Sequence, residues 1–203
     1  MESRADAELV VLSQRGDRDA FNQLARRWQS GLFHFTRRML GNGEDARDIC
    51  QEALLRAYVN LPRLRDPAKF KAWIHLIAIN LCRDRHRSAR SRIGTETYEE
   101  GGSEEIRIVE GAVRLAAPIA APDLAAERSQ LSEVLSEMLA RISPEQRTAI
   151  LLREYQGFTT DEIAEITGVP TATVRTRIFY GLKAVRRMLQ EHGIDRASYA
   201  GRE

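Results

Sequence analysis

Between residues 46 and 61, Ala46, Ile49, Cys50, Ala53, Leu54, Ala57, Tyr58 and Leu61 recur at three- and four-residue spacing, and Pro62 stops the run. That spacing gathers the apolar side chains on one face of an α-helix. A half-buried strand would alternate with period two, and this stretch does not. A helix of this length cannot bury its own apolar face, so the chain must supply further helices to cover it.

Comparable patterns stand on both sides. Leu9, Val10 and Leu12 form a short apolar group that stops at Gly16 and Asp17. Asp17 predicts an N-cap for a helix over 18–40, ended by Gly41, Asn42 and Gly43. After a turn at 61–68, Phe70, Trp73, Ile74, Ile77, Ala78 and Leu81 share one face of a helix over 69–87. That spacing assigns Trp73 to the core rather than to a base-stacking platform. Residues 88–124 break the pattern with Gly94, Gly101, Gly102, Gly111, Pro118, Pro122, clustered glutamates and a single aromatic, Tyr98. This composition predicts a linker, flexible or ordered only on a partner. Periodicity resumes with Leu131, Val134, Leu135, Met138 and Leu139. Ser143, Pro144 and Glu145 start another helix, with Pro at its first position, that runs to about Tyr155 before Gly157. The expected fold is all-α, with two small helical domains joined by the linker. The expected boundaries are 1–90, 91–124 for the linker, 125–192, and a C-terminal tail at 193–203.

Composition narrows the function classes. An apolar share of 43% is too high for a mainly disordered chain. No apolar run reaches the roughly 18 residues of a membrane helix, and the N-terminus lacks a secretory leader's apolar core. Cys50 and Cys82 are too few for a disulfide scaffold or a zinc site and fit a reducing compartment. His34, His75, His86 and His192 show no metal-ligand spacing, and a lone helical His is ordinarily structural or solvated. No Ser/His/Asp or phosphate-loop motif appears. The expectation is a soluble, cytoplasmic protein that is not an enzyme and needs no cofactor.

Taken alone, the net charge of +2 argues against a nucleic-acid partner, but it conceals segregation. Residues 1–60 are neutral, 61–92 carry +7, 93–140 carry −7 and 141–203 carry +2. Blocks of one sign mark interaction surfaces or tails.

The stretch TTDEIAEITGVPTATVRTRIFYGL, ending at Leu182, fits a helix-turn-helix. Thr160 can cap a short first helix, Gly168 suits the tight turn, and Pro170 separates the second helix, begun by Thr171 or Thr173. Val174, Ile178 and Leu182 are expected as its buried stripe. Thr171, Ala172, Arg175, Thr176 and Phe179 are then exposed near its start, where such a helix meets the major groove. Arg can pair with guanine edges, Thr with bases or phosphates, and Phe with a thymine methyl. In the 69–87 helix, Leu76, Asn80, Arg83 and Arg87 lie away from Ile77; Asn suits base edges and Arg suits phosphates.

In order, the chain carries GDRDAF at 16–21, DARDICQEALLRAY at 45–58, FKAWIHLIAINLCRDRHR at 70–87 and ISPEQRTAILLREYQGFTTDEIAEITGVPTATVRTRIF at 142–179. Together these resemble a bacterial sigma factor of the extracytoplasmic-function (ECF) group, the compact type that keeps only sigma regions 2 and 4. The resemblance implies that the 45–58 helix binds the β′ subunit of core RNA polymerase through Asp45, Asp48, Gln51, Glu52 and Arg56, with β as a further partner. It implies that the 61–72 turn and the next helix capture the melted promoter −10 strand, with Lys69, Lys71, Asn80, Arg83 and Arg87. It implies that region 4 reads the −35 element with Arg153, Thr171, Thr173, Arg175, Thr176, Arg177, Phe179 and Tyr180. Leu76 and Tyr180 depart from the basic or polar residues common at those positions. The resemblance also implies a cognate anti-sigma factor, which could hold the protein near a membrane without membrane insertion. Two rivals are a dimeric helix-turn-helix regulator and a sigma-like decoy for an anti-sigma factor. The first leaves the 45–58 and 70–87 helices without a use; against the second stand Asn80, Arg175 and the lack of room for a receiver domain.

Overall fold

The computed structural model describes residues 5–92 and 130–192. The expected tail and nearly all of the expected linker lie outside the described residues. Among the described residues there are α-helices, short helical turns and no strands. They form two compact units: residues 5–36 with 44–92, and Arg37–Gly43 with 130–192.

The first unit contains α1 (Asp6–Gln14), α2 (Arg18–Leu40) except its last turn, α3 (Gly43–Asn60) except its first residue, and α4 (Phe70–Arg92). α2 starts where Asp17 accepts hydrogen bonds from the backbone N–H groups of Asp19 at 2.9 Å and Ala20 at 3.0 Å, the expected N-cap. The apolar face of α3 is buried through Ala46, Ile49, Cys50, Ala53, Leu54 and Ala57. Phe21 on α2 meets Tyr58 on α3 edge to face at 4.8 Å. α4 buries Phe70, Ile74, Ile77, Ala78 and Leu81 as expected, and also His75, Ile79 and Cys82. Trp73 is half-exposed, with its ring 6.1 Å from Phe70, so the expected core assignment holds for only part of the side chain. α4 continues to Arg92, which makes the first two residues of the expected linker helical.

α1 packs on the 3₁₀ turns Leu61–Arg63 and Pro67–Lys69 that connect α3 to α4. It is fixed to α2 by Asp6, whose carboxylate accepts from Trp28 Nε1 at 3.0 Å and pairs with Arg27. Trp28 in turn meets the rings of Phe70 at 6.3 Å and His75 at 6.0 Å.

The second unit contains α5 (Gln130–Arg141), α6 (Pro144–Ile150), α7 (Thr160–Thr167) and α8 (Thr171–Glu191). α6 begins at Pro144 with Ser143 as its cap, as the sequence predicts. It does not stay α-helical to Tyr155. Leu151–Tyr155 is a π-helical turn, in which Gln156 N–H bonds Leu151 O at 3.2 Å, five residues back. The buried Arg147 on α6 donates from Nε to Leu139 O and from Nη2 to Ala140 O, each at 2.7 Å. It thereby satisfies carbonyls at the end of α5 that have no intrahelical partner. Burial pushes its pKa down from the ordinary arginine value.

Two expectations about the second unit are corrected. The cap of α7 is Thr159, not Thr160. Its hydroxyl accepts from Glu162 N–H at 3.2 Å and Glu162 Oε2 accepts from Thr159 N–H at 2.7 Å, a reciprocal capping box. The buried stripe of α8 is Val174, Gly181, Val185 and Met188; Ile178 is half-buried and Leu182 is 41% exposed. A Cβ at Gly181 would lie 2.7 Å from Ile150 Cδ1 and 3.2 Å from Gln146 Cβ. α8 therefore meets α6 through a bare backbone, and the neighbouring leucine is turned to solvent.

Candidate nucleic-acid interface

On α3 the five polar candidates do not form one open acidic row. Asp48 and Gln51 are exposed. Glu52 and Arg56 pair with each other at 2.8 Å, one helical turn apart. Asp45 pairs at 2.8 Å with Arg85 of α4. Two acidic candidates are thus engaged within the unit, which leaves Asp48 and Gln51 as the prominent outward groups.

The connection from α3 to α4 and the outer face of α4 carry the basic block. Arg63, Arg65 and Lys69 are exposed on the connection, and Lys71 is half-buried at the start of α4. Asp66 caps the second 3₁₀ turn by accepting from Ala68 N–H at 3.0 Å. Further along α4, Asn80 and Arg87 are exposed and Arg83 is half-buried. Their three- and four-residue spacing places them on one face, with the half-buried Leu76 one turn before Asn80. His75 faces the other way. Its Nδ1 lies 2.7 Å from Lys71 O, and because a carbonyl only accepts, Nδ1 carries a proton. It is a core residue between Trp28 and Phe35, not a site group.

Sequence reasoning missed Arg63 and Arg65 as individual site candidates, although both lie in the basic block it identified. It also missed Gln14 on α1, whose Nε2 donates to Leu61 O at 2.9 Å and to Leu64 O at 2.8 Å. Nothing in the sequence signals a contact between residues so far apart.

In the second unit, α7 ends at Gly168, which adopts the left-handed conformation with φ +67° that a side chain would strain. Thr171 Oγ1 then donates to Asp161 Oδ1 at 2.9 Å and ties the start of α8 to that of α7. Ala172, Arg175, Thr176 and Phe179 are exposed at the spacing that makes one helical face. Thr173 and Arg177 are half-buried beside it. Thr176 Oγ1 bonds back to Ala172 O at 3.0 Å. Phe179 and Tyr180 are 62% and 54% exposed, with rings nearly perpendicular at 5.2 Å. Arg153 is exposed on the π-helical turn while Leu151 and Leu152 beside it are buried. Lys183, Arg186 and Arg187 extend the cationic surface along α8. The described residues contain no cluster of side chains able to hold a metal ion.

Known proteins match both halves of the chain. Sigma-70 region 2 matches residues 24–92, and Sigma-70, region 4 matches residues 132–185. The ECF RNA polymerase sigma factor SigW of Bacillus subtilis is 32% identical over 178 residues, covering 88% of this chain and 93% of its own. This chain is an ECF sigma factor of the sigma-70 family. A sigma factor of this group directs promoter-specific initiation of transcription and is not an enzyme. The RNA polymerase sigma-H factor of Pseudomonas aeruginosa is 31% identical over 185 residues, covering 91% of this chain and 94% of its own. The fold is shared with CnrH, solved in complex with the cytosolic domain of CnrY, at a TM-score of 0.64 and 21% identity over 93% of this sigma factor and 99% of that chain. It is shared also with the sigma factor RpoE of Bartonella quintana, solved with the anti-sigma factor NepR, at 0.56 and 20% identity over 80% and 91%. α1 lies outside both family matches. No helix of the described residues is long and apolar enough to cross a membrane.

Proposed function

We propose that the two units divide promoter recognition between them while α3 docks the protein on core RNA polymerase. In this reading Asp48, Gln51 and Glu52 meet the β′ subunit, while Asp45 and Arg56 are occupied by Arg85 and Glu52 at its edge. The 61–69 connection and the Asn80, Arg83 and Arg87 face of α4 hold the melted −10 strand, with Lys69 and Lys71 on phosphates. The Ala172, Arg175, Thr176 and Phe179 face of α8 enters the −35 major groove, flanked by Thr171, Thr173, Arg177 and Tyr180, with Arg153 on the backbone.

The supporting observation is that each family region displays one exposed helical face built from the side chains this task needs. Asn and Arg on α4 suit unstacked bases and phosphates, and Arg, Thr and Phe on α8 suit duplex base edges. No bond is made or broken. Contacts to polymerase, to the −35 duplex and to captured −10 bases together offset the cost of unstacking DNA. The acidic block at 93–140 suits a cationic channel of the polymerase.

An anti-sigma factor that covers the polymerase- and DNA-binding faces would keep the protein inactive until a signal releases it, as the relatives solved with such partners suggest. The protein then acts in the cytoplasm, held near a membrane only where that partner is itself membrane-bound.

The test is reconstitution with bacterial core RNA polymerase and a library of promoters. Core binding and opening of a defined promoter subset are expected. Absence of core binding overturns the reading, and core binding without opening of any promoter favours a decoy.

A further inference from the structure

We propose that Gln14 is a positioning residue for promoter opening: from α1 it fixes the main-chain path of the 61–69 connection that holds the −10 strand. The inference rests on the role given to that connection above.

Asp66 caps the second turn of the connection, but the first part has little to hold it from its own sequence. Between the end of α3 and the start of α4 it makes two separate 3₁₀ turns, and it turns Pro62, Arg63, Arg65, Asp66, Ala68 and Lys69 outward. Leu61 alone is fully buried, at 1% exposure. Short 3₁₀ turns carry few and poorly aligned hydrogen bonds, so their path depends on outside contacts. Gln14 supplies such a contact. Its amide donates one N–H to Leu61 O at 2.9 Å and the other to Leu64 O at 2.8 Å. Leu61 O also accepts Leu64 N–H at 3.0 Å, so both of its lone pairs are used. The two carbonyls bracket Pro62 and Arg63, and the second is followed directly by Arg65. One side chain therefore ties the main chain down on both sides of Arg63 and immediately before Arg65.

Gln14 is itself anchored. α1 is fixed at its other end through Asp6 to Arg27 and Trp28 of α2. Trp28 packs on Phe70 and His75 of α4. The middle of the connection is thus referenced to the same frame as the α4 face that carries Asn80. A site that captures a single base needs its supporting groups held to within about half an ångström, and such support comes from side chains behind the contact surface.

Chemistry separates positioning from simple reinforcement. Gln14→Glu keeps the shape but removes both donors and faces a carboxylate toward two carbonyl oxygens. Gln14→Lys restores donors, since an ammonium has three N–H groups and a slightly longer reach. The full-length protein is assembled with core polymerase and assayed on promoters that share one −35 element and vary in the −10 element. Opening is followed by the fluorescence of 2-aminopurine in the −10 strand.

Gln14→Glu is expected to flatten the −10 preference about tenfold, the factor that about 1.4 kcal/mol represents. Core affinity should stay unchanged, and Gln14→Lys should recover most of the preference. An unchanged −10 preference in Gln14→Glu overturns the proposal. So does a loss that is uniform across the library and tracks the melting temperature, because that is the signature of a staple for the fold. Failure of Gln14→Lys to restore the preference overturns it as well. Should Gln14→Glu not fold, Gln14→Met, which keeps the length but donates nothing, is judged by the same criteria. If the wild-type protein opens no promoter with core polymerase, the reading of the connection fails, and this outcome is distinct from an unchanged variant.

Discussion

Arg85 Nη1 of α4 lies 2.8 Å from Asp45 Oδ1 of α3, and this pair separates two roles that look alike in the sequence. Asp45 and Asp48 are acidic residues one turn apart on one helix, yet only Asp48 is left facing outward. The pair is partly exposed, with a third of the Asp45 side chain and 43% of that of Arg85 open to solvent. Such pairs contribute less than about 1 kcal/mol. Asp45→Asn is therefore expected to lower stability by no more than that and to leave core polymerase affinity within about twofold. Asp48→Arg combined with Glu52→Arg should abolish core binding with the melting temperature nearly unchanged. Titration of labelled core enzyme and thermal unfolding of both variants check the contrast.

The −35 surface makes a sharper prediction because its residues differ in chemistry. Arg175→Ala should weaken −35 binding by about 1–3 kcal/mol and relax preference at the base pair it reads. Tyr180→Arg should instead strengthen binding to all duplexes alike and steepen its salt dependence, because an added cation meets phosphate. The check is binding of the polymerase-bound protein to −35 variants at two salt concentrations. A Tyr180→Arg variant with altered base preference would show that Tyr180 reads sequence.

The helices of both units were legible because their signals are local. Asp17 caps α2 where the sequence places a cap, Ser143 and Pro144 begin α6, and the apolar face of α3 is buried as its spacing implies. What was not legible depends on contacts between distant parts of the chain. Gln14 reaches a backbone 47 residues away, and Arg85 takes Asp45 from a surface it was expected to share. The π-helical turn at Leu151–Tyr155 has no compositional signature. The stripe of α8 was misread at Leu182 for a different reason: hydrophobic periodicity scores side chains, and the closest contact of α8 with α6 is made by a residue that has none.

That contact at Gly181 is directly testable. Replacing a mid-helix Gly with Ala ordinarily stabilises by about 0.8–1.0 kcal/mol. Here the added methyl would meet Ile150 Cδ1 at 2.7 Å and Gln146 Cβ at 3.2 Å. Overpacking of this kind costs about 1–3 kcal/mol. Gly181→Ala is therefore expected to destabilise the protein despite its better helix propensity. Ile150→Val removes the nearest atom, so the double variant should be more stable than the sum of the single changes implies. Thermal unfolding of the wild type, the two single variants and the double variant gives the coupling. Strict additivity would place the clash elsewhere.

The two cysteines set an alkaline limit on the first unit. Burial pushes the thiols of Cys50 and Cys82 up from about 9 to about 12. Between these values the unfolded chain releases both protons while the folded chain keeps them. The unfolded state then binds fewer protons, so stability is level below about pH 9 and falls as pH rises toward about 12. Denaturant unfolding of the wild type from pH 7 to pH 11, compared with Cys50→Ala and Cys82→Ala, measures the slope. Each variant should unfold at lower denaturant at pH 7, through the small cavity it leaves, yet lose less stability than the wild type on going to pH 11. Both thiols should also resist an aromatic disulfide reagent at pH 8 until the protein is unfolded, because a buried thiol held in its neutral form is a poor nucleophile. Rapid labelling of either cysteine in the folded protein would mean that the core around it opens far more often than its burial implies.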